Sequence, residues 1–73
     1  MDSEYINIYH IKSLINTLKT YPLDEKQYKE TEDLEVYLLN FATRQPKKEE
    51  RIILSNHITR LIKNLSYYEN KGA

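Results

Sequence analysis

Leu54-Ser55-Asn56-His57-Ile58-Thr59-Arg60-Leu61-Ile62-Lys63-Asn64-Leu65-Ser66-Tyr67-Tyr68 puts an apolar or aromatic residue at 54, 58, 61, 65 and 68. Alternating steps of four and three keep those side chains on one side of an α-helix, which turns once in about 3.6 residues. A strand alternates by two and does not fit. The reading extends back to Pro46, which suits a first helical position because its missing N–H has no partner there anyway. The spacing predicts a helix over 46–69, with 70–73 as a frayed tail.

The two segments upstream read the same way. Leu34, Tyr37, Leu38 and Phe41 form a stripe on a second helix, predicted over 31–44, with Glu32 and Asp33 suited to its positive N-terminus. Asp24 and Gln27 have capping-box spacing, so the stretch 24–30 reads either as loop or as a first turn. Ile8, Ile11, Ile15 and Leu18 mark a first helix over 3–21, widened by Leu14, capped by Asp2 or Ser3 and ended by Pro22. Tyr5 to Ile11 is rich in β-branched and aromatic residues, as a strand is, but no second strand exists to pair with it. Short connections make neighbouring helices antiparallel. The expected fold is all-α: a small three-helix bundle, up-down-up, or a long helical hairpin with an added helix. The expected core joins Ile11, Ile15 and Leu18 to Leu34, Leu38 and Phe41, and both to Leu54, Ile58, Leu61 and Leu65.

The chain has 73 residues, enough for one domain over 1–73 and a small core. It has no cysteine, which excludes disulfides and thiolate zinc sites. The N-terminus is acidic where a signal peptide is basic. Apolar runs fall far short of the ~20 residues of a membrane span. The expected location is cytoplasmic. Abundant Ile, Lys, Asn and Tyr with one glycine is the bias of an AT-rich coding sequence, and points to a low-GC bacterium or its phage or plasmid.

Lys plus Arg and Asp plus Glu balance at 11 each, but residues 1–42 carry four basic and eight acidic groups, and 43–73 carry seven and three. Antiparallel helices with opposed charges account for this asymmetry.

The apolar residues off the main stripes carry more information. At about 100° per residue, Val36 and Leu39 point nearly opposite to Leu34 and Phe41, and with Ala42 and Thr43 they form a second seam. The outer face of the first helix carries Ile6, Tyr9, His10, Ser13, Asn16, Thr17 and Thr20, none formally charged. Charge-poor, tyrosine-bearing faces belong to interface centres. Ile6, Tyr9, Val36 and Leu39 are therefore the candidate partner-binding residues, and a homodimer is the simplest partner because two-fold symmetry lets one patch cover its own copy.

Catalytic chemistry finds no carrier. The only glycine is Gly72, so there is no phosphate loop, and neither His10 nor His57 belongs to a His-Glu-x-x-His pattern. No catalytic, cofactor-binding or metal residue is expected, no small-molecule substrate, and no enzyme.

Leu54 to Ile62 resembles the Leu-Ser-Gln-Glu-Leu-Asp-x-Leu-Ile signature of the small aspartyl-phosphate phosphatases of sporulating bacteria, which are helical hairpins of similar length. Leu54, Ser55, Leu61 and Ile62 match, and Ile58 is conservative. The resemblance implies at most a shared scaffold. His57 and Thr59 stand where the signature is acidic, so phosphatase activity does not carry over.

Arg44, Lys47, Lys48 and Arg51 cluster between helices two and three, at a helix N-terminus that attracts phosphate. Glu49 and Glu50 dilute them, and the zero net charge is unlike a dedicated DNA-binding domain. The expected function is a non-enzymatic helical regulator or adaptor acting by protein–protein contact. The alternative is a small DNA-binding transcriptional regulator using this junction.

Overall fold

The structure, a computed structural model, describes residues 6–71. Three α-helices follow one another: α1 (Ile8–Leu18), α2 (Glu25–Leu38) and α3 (Lys48–Lys71), with a 3-10 turn at Leu39–Phe41 continuing α2. No strand occurs among the described residues, and the helices pack as a three-helix bundle. The molecule measures 37 × 24 × 18 Å. Its length is that of α3, whose 24 residues span about 36 Å at 1.5 Å each.

Helix α1 begins later than the predicted residue 3. Asn7 is extended, and its side chain accepts the His10 N–H at 3.1 Å, closing the first turn there. The residue before it is held elsewhere: Ile6 N–H donates to Gln45 Oε1 (3.0 Å), and Gln45 Nε2 donates to the Ile6 carbonyl (3.2 Å). The caps expected at Asp2 and Ser3 lie outside the described residues. Tyr9, His10 and Ile11 of the rival strand segment are helical.

Helix α2 begins earlier than 31. Asp24 accepts the Gln27 N–H (2.7 Å) while Gln27 Oε1 accepts the Asp24 N–H (3.0 Å), a complete capping box that settles 25–30 as helix. Thr31 is therefore inside α2 rather than at its start. It is buried, and its hydroxyl donates to the Gln27 carbonyl at 2.8 Å. The α-helix also stops earlier than 44. Tightening into the 3-10 turn carries Phe41 into the core, and the Asn40 side chain donates to the Tyr37 carbonyl (3.0 Å). Ala42 and Thr43 fall in the connecting loop and do not extend a helical seam.

Helix α3 starts two residues after Pro46. Glu50 reaches back and accepts the Lys47 N–H at 2.8 Å, so the cap forms at Lys47, and Pro46 packs as a buried loop residue. The helix continues through Asn70 and Lys71. Gly72 and Ala73 lie outside the described residues.

The core contains Ile11, Ile15, Leu18, Leu34, Leu38, Phe41, Leu54, Leu61 and Leu65 as expected, with Ile8 added. Ile58 is the exception: it lies at the edge of the stripe and is half-buried. Tyr68 closes one end. Its ring stacks on Tyr21 with centroids 5.2 Å apart, and its hydroxyl donates to the Pro22 carbonyl at 3.1 Å.

Candidate protein-binding face

Among the described residues the three most exposed large apolar side chains are Tyr9 (80%), Leu39 (69%) and Val36 (65%). Tyr9 lies in the first turn of α1, with the Lys12 ammonium 5.8 Å from its ring centroid. Leu39 begins the 3-10 turn. Two clefts flank Lys12. One, of about 470 Å³, has Ile6, Ile8, Tyr9 and Phe41 in its walls. The other, of about 210 Å³, is lined by Asn16, Glu35, Leu38 and Leu39. Lys12 borders both, so Tyr9 and Leu39 stand on either side of one lysine. Val36 lies one helical turn before Leu39, on the outward side of α2 among Lys29, Glu32 and Asp33.

Ile6 does not share this exposure. It precedes α1, packs half-buried against the core, and is tied through both backbone groups to Gln45. It forms a wall of the larger cleft rather than a free anchor. Gln45 had no local signature, since a loop glutamine that braces a chain 39 residues away leaves no pattern in its neighbours.

Among the described residues, the larger cleft is lined by two cations, Lys12 and Arg44, and by no carboxylate. Arg44 is held in place. Its guanidinium makes two 2.8 Å bonds to the Glu50 carboxylate and lies 5.1 Å from the Phe41 ring centroid. The paired arginine and the Lys47 backbone N–H hold the Glu50 carboxyl down at about 2, and the hydrogen bond to Glu50 raises Arg44 in turn. Lys47 and Lys48 are exposed at the start of α3, and the Arg51 guanidinium donates back to the Pro46 carbonyl at 3.5 Å. The structure thus brings the four junction cations together, and two of them are bonded within the junction itself.

No family model matches the chain, and no curated protein or solved structure matches it either. The phosphatase-like stretch accordingly has only its local residues behind it. Within it, Ser55 and Thr59 are exposed, and His57 leans on the Tyr37 ring of α2 at 5.5 Å. Burial pushes the His57 imidazole below its ordinary pKa, with Arg60 adding to the effect and Asp33 opposing it. Burial also raises the Tyr37 phenol, whose hydroxyl donates to the Glu50 carbonyl at 3.4 Å. Among the described residues no group of three His, Cys, Asp or Glu could hold a metal ion, and no helix is long and apolar enough to cross a membrane.

Proposed function

We propose that this chain is a non-catalytic helical regulator or adaptor that acts by protein–protein contact, with Tyr9 and Leu39 as anchors and Val36 beside them. The observation that carries this reading is that Tyr9 and Leu39, the two most exposed large apolar side chains among the described residues, each line one of two clefts that share Lys12. Leaving such side chains in water is a cost that binding removes. The two cations of the larger cleft favour a partner segment that brings an apolar side chain together with an acidic group. The codon-bias signature of the composition suggests a low-GC bacterial or phage setting.

The test is capture of a protein partner from bacterial lysate by wild type and by Leu39→Glu, with and without nuclease. The expected result is a nuclease-resistant partner that Leu39→Glu loses while circular dichroism stays helical. A partner retained by folded Leu39→Glu overturns the reading. Capture that nuclease abolishes, and that weakens steeply with salt, would instead move the function to Arg44, Lys47, Lys48 and Arg51 as a nucleic-acid contact.

A further inference from the structure

Helix α3 carries a second stripe, about 120° round the helix from its core side at ~100° per residue. Ile52, Ser55, Thr59, Ile62 and Ser66 recur at steps of three and four, and all five are exposed. Ile52 and Ile62 are among the large apolar side chains left in water, at 59% and 53%. This is the a/d spacing of a helix that packs on another helix. Between Ile52 and Ser66 the charges on this face are Lys63 and, at the edge, Arg60. The polar groups in the stripe do not prevent burial: the Thr59 hydroxyl donates to the Ser55 carbonyl of its own helix at 2.9 Å, which leaves its methyl group to pack. The neighbouring helix α1 adds no carboxylate, and its Lys19 turns toward α2, where it pairs with Glu35.

Continuing the same spacing by one step in each direction reaches Lys48 at the start of the stripe and Glu69 at its end, both exposed. A second α3 laid antiparallel brings Lys48 of each copy near Glu69 of the other. In the register that layers Ile52 on Ile62 and Ser55 on Thr59, Lys48 faces Ser66, and Glu69 lies three residues further along, about 4.5 Å at ~1.5 Å per residue and within the reach of a lysine side chain. A parallel arrangement stacks Lys48 on Lys48 and Glu69 on Glu69. We infer that the outward stripe of α3 is a self-association surface, and that its occupant is a second copy of this chain running antiparallel about a two-fold axis. The surface is separate from the Tyr9–Leu39 face and stands whether or not that face binds a protein.

Sedimentation equilibrium over a range of concentrations tests it, with circular dichroism as the check on folding. Wild type is expected to dimerise. Ile62→Glu should stay helical and weaken the dimer roughly a hundredfold, about tenfold for each of the two altered side chains. Leu39→Glu should leave the dimer intact. Lys48→Glu and Glu69→Lys should each weaken it alone. The two mixed together should associate again, because each then supplies the charge the other lacks. Wild type that stays monomeric, a dimer indifferent to Ile62→Glu, or single charge variants that fail to rescue each other would each overturn the inference.

Discussion

Along the outward side of α2 the side chains are Glu25, Lys26, Lys29, Glu32 and Asp33, with Val36 alone among them. Along the outward side of α3, between Ile52 and Ser66, they are Ile, Ser, Asn, Thr, Ile and Ser, with Lys63 and, at the edge, Arg60. Both faces are exposed, both belong to helices that bury leucines on the other side, and both lie in one small bundle. The α2 face is built for water, since interspersed charges keep a surface hydrated and discourage association. The α3 face lacks those charges along most of a helix. A solvated helix side usually carries them, so their absence on one helix and presence on its neighbour separates a solvent face from a contact face. Composition summed over the whole chain hides this difference.

The comparison requires that both helices hang on one core, and the largest expected effect would break it there. Leu61 is buried at the centre of the α3 core stripe. Leu61→Ala should cost roughly 2–5 kcal/mol through lost burial and the cavity left behind, enough to unfold a domain of marginal stability. Thermal unfolding followed at helical wavelengths should show α2 and α3 lost together. A small shift in melting temperature would mean that the two helices do not share that core.

A smaller effect tests whether α2 depends on its own start. Asp24→Ala removes the capping box that sets α2 in place, and should cost about 1 kcal/mol in urea unfolding. It should leave α3 self-association unchanged, because no residue of the α3 stripe is involved.

The α2–α3 contact itself should be sensitive to pH through His57. Its folded pKa lies below the unfolded value of 6.5, so between the two the unfolded chain binds the proton that the folded chain refuses. Stability from this group is therefore complete above 6.5 and is lost as pH falls through the folded value. The urea midpoint should drop between pH 7 and pH 5, and His57→Gln should flatten that drop. An unchanged slope in His57→Gln would assign the acid sensitivity to other groups.

The smallest effects on stability sharpen the comparison most. Glu32→Gln on the α2 face and Thr59→Glu on the α3 face each alter an exposed position by one charge. Both should change monomer stability by no more than about 0.5 kcal/mol. Only Thr59→Glu should change sedimentation. If Glu32→Gln alters assembly as much, the two faces do not differ in kind.

The helical class and nearly all of the core were legible in the sequence, because both depend on near-neighbour spacing. Ile11, Ile15, Leu34, Leu38, Leu54 and Leu61 are three or four residues from their companions, and a helix needs nothing further to align them. The capping box at Asp24 and Gln27 was equally local. The ends that moved did so for reasons outside the stripe. Asn7 starts α1 where Ile6 is drawn away to Gln45. Phe41 turns inward in a 3-10 turn, and Glu50 caps α3 at Lys47.

Exposure of the off-stripe residues is where tertiary structure alone decided. Ile6 and Tyr9 read alike in the sequence, as apolar groups on an uncharged face, yet Ile6 is packed and Tyr9 is open. The difference comes from a hydrogen-bonded brace across 39 residues, which no local pattern encodes. Helical periodicity states which way a side chain points relative to its own axis. Whether another element stands in that direction depends on how the three axes pack, and that follows from the summed contacts of the whole core.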